Sequence, residues 1–190
     1  MNTKKIFLLI LVLIIAGGLG FYFSLQKNNQ TAKTPNLNIN SKNIMRLTSP
    51  AFQNNENIPP KFTCDGENAS PPLEISEVPA EAKSLVLIVD DPDAPSGDFV
   101  HWTVWNISPE IKLIAENSFP ENTFEGTTDF GKPGYGGPCP PSGTHRYFFK
   151  LYALDTLLSL DSSAKSEDVE KAMEGHILDQ ATLIGLYQRQ

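Results

Sequence analysis

The chain has 190 residues, 40% of them hydrophobic and 19% charged, enough for one ordinary domain and a little more. Eleven Phe, five Tyr and two Trp exclude a disordered chain, and 15 Pro with 13 Gly argue against a helix bundle. A formal net charge of -7 excludes a broad nucleic-acid-binding surface, which needs a basic stripe.

The charge is unevenly placed. Residues 1–44 hold Lys4, Lys5, Lys27, Lys33 and Lys42 and no acid, leaving 10 basic against 22 acidic residues in 45–190. Residues 1–5 read as a short cytoplasmic N-terminus. Ile6 to Leu25 carries no charge, and twenty helical residues span about 30 Å, the thickness of a bilayer core. Lys4 and Lys5 before it, and Tyr22 near its far end, suit a signal anchor that leaves the acidic part outside the cell membrane. The rival is a cleaved signal peptide and a secreted domain, supported by the small residues Ala16, Gly17, Gly18 and Gly20. Residues 26–44 are rich in Asn, Lys, Thr and Ser and read as a flexible tether.

The remainder, 45–190, reads as one exported, mainly β domain. Ser84 to Asp90 is almost wholly apolar and β-branched, which predicts a central strand covered on both faces. Val100 to Ile107 alternates, with Trp102 and Val104 on one face and His101, Thr103 and Trp105 on the other. Tyr147 to Leu154 and Ala181 to Gln188 predict two further strands. Ser166 to Leu178 predicts a helix, because Val169, Ala172, Met173 and Ile177 recur at helical spacing. That phase puts His176 on the buried face.

Between these runs lie Asp91-Pro92-Asp93-Ala94-Pro95 and the Gly131 to Gly143 stretch, long breaker-rich loops of the kind that carry binding sites. Asp90, Asp91 and Asp93 at a strand end form either an Asx-type turn or a pocket rim in which Asp orients a histidine. His101 and His145 are two of only three histidines, each beside such a loop. A single His in a strand is ordinarily structural. Metal binding is the obvious competitor, but no HExxH or CxxC spacing occurs, and no metal or cofactor is expected. Ser142 and Cys139 sit in no nucleophile elbow, so the chain is not expected to be an enzyme. Cys64 and Cys139 are the only cysteines, and in an exported domain they are expected to pair. The alternative is two reduced, buried thiols.

Three stretches taken together resemble the phosphatidylethanolamine-binding protein family, and more closely its bacterial Raf-kinase-inhibitor-like branch. They are Cys64-Asp65-Gly66 through Pro71-Pro72-Leu73, Asp90 through Pro95 followed by His101-Trp102, and Gly137 through Tyr147 with its Thr144-His145-Arg146-Tyr147 end. The resemblance runs from about Met45 to the C-terminus. It implies a large antiparallel sheet packed on a smaller sheet with peripheral helices. It also implies a small pocket for an anion, such as phosphate or a phospholipid headgroup. Residue by residue, Asp91, Asp93, Ala94 and Pro95 match its acidic motif and His101 its strand histidine. Pro140, Pro141, His145 and Tyr147 match the remaining wall. Both imidazoles, with backbone N–H groups, are expected to donate to the anion, with Asp91 or Asp93 setting a histidine tautomer. The loop between Pro141 and His145 looks shorter than in animal members, which argues against a kinase-inhibitor role. Two other classes stay open: an inhibitor module that docks on a protease or other enzyme through the loop rim, its target unknown, and phosphoester chemistry by the histidines and carboxylates.

Overall fold

The structure is a computed structural model that describes residues 44–189. Residues 1–43, read above as a cytoplasmic N-terminus, a membrane segment and most of a tether, lie outside the described residues. Among the described residues no helix is long and apolar enough to cross a membrane.

Nine strands build two sheets. β1 (Arg46–Thr48), β3 (Leu73–Ser76) and β6 (Leu113–Ile114) form a three-stranded sheet in the order β1-β3-β6. The larger sheet takes β2 (Glu56–Asn57), β4 (Ser84–Asp91), β5 (Phe99–Ile107), β7 (Phe124–Glu125), β8 (His145–Leu154) and β9 (Ile177–Tyr187). Its order is β2-β9-β8-β4-β5-β7, antiparallel throughout except where β2 runs parallel to β9. One α-helix, α1 (Ser166–Met173), and a short 3-10 turn at Pro60–Phe62 complete the described elements.

The unbroken apolar run of β4 follows from its place. It lies between β8 and β5, and every one of its residues is buried. Strand alternation sends Leu85, Leu87 and Val89 into the core with Trp102, Val104, Phe149, Leu151 and the small sheet's Leu73 and Ile75. Val86 and Ile88 point the other way, into a second cluster with Trp105, Leu154, Val169 and Met173 under α1. Each fully buried aliphatic side chain of this kind contributes about 2 kcal/mol. The charged last residue of that outer row, Asp90, is buried as well. Burial pushes its carboxyl up to about 6, although Lys150 hydrogen-bonds one oxygen.

Two bulges interrupt β5. Asn106 takes a left-handed backbone (φ 60°) and its amide exchanges two hydrogen bonds with Leu158, fixing the segment that leads to α1. The second bulge lies nearer the strand's start. Val89 pairs with Trp102 but the next residue, Asp90, pairs with Val100, so His101 is the extra residue. Simple alternation would put His101 on the α1 side with Thr103 and Trp105. The bulge turns it to the opposite side, where its ring meets that of Tyr147 at 5.2 Å.

The helix is shorter than its periodicity predicts. Val169 and Met173 are buried as the spacing requires, but α1 ends at Met173 because Gly175 turns left-handed (φ 80°). Residues from Ile177 onward join β9, whose pairing with β8 recruits Asp179 and Gln180 despite their low strand preference. His176 is therefore not buried against the sheet. It is exposed, and its Nδ1–H donates to Asp155 at 2.7 Å.

Candidate binding site

The register of the three central strands assembles the site. β4 ends at Asp91, β5 begins at Phe99 and β8 begins at His145, so all three meet at one end of the sheet. Asp91 pairs with Phe99 across one ladder, and Asp90 pairs with Phe148 across the other, placing Tyr147 beside Asp91.

A cavity of about 310 Å³ opens there. Its polar lining comes from Asp91, Ser96, His101, His145 and Tyr147. Its apolar walls are Ala94 and Pro95 after β4, Phe99, Phe130, and Cys139-Pro140-Pro141 before β8. Neither Lys nor Arg lines it.

Asp91 does two things at once. Its Oδ1 accepts the Asp93 backbone N–H at 2.9 Å, which is an Asx turn. Its Oδ2 accepts Nδ1–H of His145 at 2.7 Å, and both side chains are nearly buried. The turn and the histidine-orienting carboxylate, alternatives in the sequence, are one residue.

Asp93 is placed otherwise than expected. It does not line the cavity and touches no imidazole. Both its oxygens bind the Arg146 guanidinium, at 2.8 and 2.7 Å, and Oδ2 also accepts the Arg146 backbone N–H. Those Arg146 bonds hold its carboxyl down to about 2. Asp93 thus pins the turn after β4 to the start of β8 from outside.

His101 is fixed by a backbone carbonyl. Its Nδ1 lies 2.6 Å from the Gly136 carbonyl, which can only accept, so Nδ1 carries a proton and donates it there. Rings of Phe99, Phe130 and Tyr147 surround the imidazole at centroid distances of 5.2, 5.3 and 5.2 Å. Burial lowers its pKa, against the pull of the Gly136 carbonyl and of Asp91. Burial thus disfavours a second cation here, and in the neutral ring Nε2 is the lone pair.

Tyr147 supplies the unusual atom. The residue is 1% exposed, and its hydroxyl has no hydrogen-bond partner among the described residues. Burial raises its pKa, and so does the Asp91 carboxylate, which with the Cys139 backbone lies near the hydroxyl without a bond of good hydrogen-bond geometry, so the O–H stays on. A buried hydroxyl without a partner costs about 1–3 kcal/mol, a cost that a polar ligand would remove.

The outer wall is stapled from the far side. Cys64 and Cys139 form a disulfide, with sulfurs 2.10 Å apart. The same two loops are joined by Cys64 N–H to the Pro138 carbonyl, Gly137 N–H to Asn68 Oδ1 and Tyr135 O–H to the Phe62 carbonyl. They approach so closely that a Cβ at Gly137 would lie 2.6 Å from the Phe62 carbonyl oxygen. A Cβ at Gly136 would strike the Phe130 ring at 2.1 Å, so Gly136 is what lets Phe130 lie across the mouth.

Of the residues singled out in the sequence, Asp91, Ala94, Pro95, His101, Pro140, Pro141, His145 and Tyr147 line this one cavity. Sequence reasoning missed Phe99, Ser96 and Phe130. Phe99 had a signal, two residues before His101 on one strand. Phe130 had none, since only the fold of the loop between β7 and β8 brings it to the mouth.

A small sheet backing a six-stranded one, with a histidine- and tyrosine-lined cavity at the strand ends, defines a two-sheet β domain with its site at the sheet's end. The chain belongs to the phosphatidylethanolamine-binding protein family, whose sequence model matches residues 48–188. Among its relatives is a UPF0098 protein of Methanothermobacter thermautotrophicus, 55% identical over 150 residues that cover 76% of this chain and 99% of that one. The crystal structure of a phosphatidylethanolamine-binding protein homologue from Chlamydia trachomatis, 45% identical, superposes with a TM-score of 0.75, covering 78% of this chain and 99% of the other. Escherichia coli YbcL, described as a member of the mammalian family, is 31% identical with a TM-score of 0.73 over 77% of this chain and 99% of its own.

Proposed function

We propose that the domain is a binding module whose cavity takes a small oxyanion or phosphorylated headgroup, and that it catalyses no covalent step. The observation that carries this reading is the buried, unpartnered Tyr147 hydroxyl beside two imidazole Nε2 atoms that also make no hydrogen bond among the described residues. Three polar atoms left open around one small cavity favour an oxygen-rich ligand. Neither nucleophile singled out in the sequence is available to the cavity, and Ser96, which lines it, has no imidazole bonded to its hydroxyl among the described residues. Cys139 is held in the disulfide, and Ser142 is not among the cavity-lining residues.

Calorimetric titration of inorganic phosphate into the full-length chain, in a phosphate-free uncharged detergent at pH 6, tests this. One site per chain is expected, and His101→Ala should weaken it by about 1.5–3 kcal/mol if its imidazole bonds the ligand. Unchanged phosphate binding in His101→Ala would place the ligand elsewhere.

We infer further that residues 6–25 are a membrane anchor, with the domain on the extracytoplasmic side. Support comes from the uncharged stretch, from Lys4 and Lys5 before it, and from a disulfide that suits an oxidising compartment. The protein should stay with membranes through an alkaline wash. Recovery of a soluble chain starting near residues 18–27 would show a cleaved signal peptide instead.

A further inference from the structure

We propose that the cavity selects an oxyacid that still carries one proton, a phosphomonoester in its singly charged form, over a phosphodiester or a doubly charged anion. The proposal rests on the reading above that the cavity takes an oxyanion. It narrows the ligand from the direction of each hydrogen bond.

The protein's own bonds settle which ring nitrogens are free. His101 commits Nδ1–H to the Gly136 carbonyl, and His145 commits Nδ1–H to the Asp91 carboxylate. What each imidazole has left is Nε2. Burial and aromatic walls favour the neutral His101 ring, and with Nδ1–H committed its Nε2 is then a lone pair that accepts. Nε2 of His145 donates only when that ring is an imidazolium, with Asp91 as its counter-charge. The Tyr147 hydroxyl is a free neutral donor, and the Ser96 hydroxyl at the cavity is another.

Charge points the same way. The charged and titratable groups facing His101 are Asp91 at the end of β4, His145 at the start of β8 and Asp129 from the loop before Phe130. Among the described residues no Lys or Arg lines the cavity, while Asp91 brings an acidic side chain to it. A bare dianion would meet the His101 lone pair and have at most one cation to offset it. An anion-binding site built for full charge carries Arg or Lys forks, and this one does not.

A phosphomonoester monoanion matches the set atom for atom. Its P–OH donates to Nε2 of His101, and its anionic oxygens accept from Tyr147 O–H and from His145. A phosphodiester carries the same single charge but no hydroxyl, so it leaves the His101 lone pair facing an oxygen lone pair. The intact diester of a phospholipid headgroup is thereby the poorer ligand, and a free phosphorylated headgroup or other monoester the better one.

The test compares methyl phosphate with dimethyl phosphate on the full-length chain in uncharged detergent. At pH 6 methyl phosphate should bind about tenfold more tightly, a difference of about 1.4 kcal/mol. Between pH 6 and pH 8 the monoester loses its second proton, whose pKa is about 6, so its affinity should fall about 50-fold. Dimethyl phosphate has no such proton, and its own pH dependence reports the protein's contribution. His101→Phe should bring the two ligands to similar affinity. Equal binding of both by the unmodified chain, or a monoester affinity that rises toward pH 8 relative to the diester, would overturn the inference and leave the oxyanion reading standing. Binding of neither would overturn both.

Discussion

A chain carrying Cys64→Ser and Cys139→Ser is expected to lose about 4 kcal/mol of unfolding free energy. The disulfide closes a loop of 75 residues, and the chain-entropy model gives a cross-link of that length a stabilisation of about 4 kcal/mol, acting on the unfolded state. Native contacts between the two loops do not replace it. The Cys64-to-Pro138, Gly137-to-Asn68 and Tyr135-to-Phe62 hydrogen bonds are made only in the folded protein and do not restrict the unfolded chain. Both cysteines are exposed, so a mild reductant should produce the same loss as the double substitution. Urea unfolding of the oxidised, reduced and substituted chains measures it. A loss below about 1 kcal/mol would mean that residual structure already holds the two loops together in the unfolded chain.

Asp91→Ala is expected to be the most damaging single change at the site, costing about 3 kcal/mol of stability and removing phosphate binding. Two donors lose their acceptor together: the buried Nδ1–H of His145 and the partly buried backbone N–H of Asp93. Without the carboxylate, the tautomer of His145 is no longer fixed, and its imidazolium has no counter-charge. Asp91→Asn keeps an acceptor of the same shape without the charge. It should recover most of the stability and little of the binding, which separates the structural duty of Asp91 from its electrostatic one. Urea midpoints together with phosphate titrations of both variants check this. Full phosphate affinity in Asp91→Ala would remove His145 from the site.

The parts of this fold that were legible are those whose pattern is local. β4 could be read because a strand covered on both faces needs apolar residues at every position, and Ser84 to Val89 supplies them. Asp91, His101 and His145 drew notice as polar residues at strand ends beside Pro- and Gly-rich loops, and the family resemblance grouped them. Features that depend on one extra residue were not legible. The side to which His101 points is set by a bulge between Val89 and Asp90 pairings, and nothing in Val100-His101-Trp102 announces it. The end of α1 was misplaced because Ile177 continues the apolar spacing, while Gly175 ends the helix before it. That one glycine moved His176 from the core to the surface. Asp93 was misassigned because its partner Arg146 is 53 residues away, and only the β4–β8 pairing brings them together. The roles of the two imidazoles were hidden for a similar reason. Donor or acceptor character is decided by Gly136 and Asp91, and a sequence does not show which ring atom each will meet.

The chain has three histidines, and they divide the molecule usefully. His101 and His145 line the cavity, while His176 follows α1 near the opposite end of β8, about 30 Å away along a ten-residue strand. The most direct test of the account is therefore an imidazole nitrogen NMR titration of the full-length, histidine-labelled chain with inorganic phosphate at pH 6. The account predicts saturable, 1:1 shifts of the His101 and His145 ring nitrogens, with Nδ1 of both remaining protonated, and no saturable shift of His176. Phosphate that leaves the His101 and His145 nitrogens unmoved, or that perturbs all three rings alike without saturation, would contradict it.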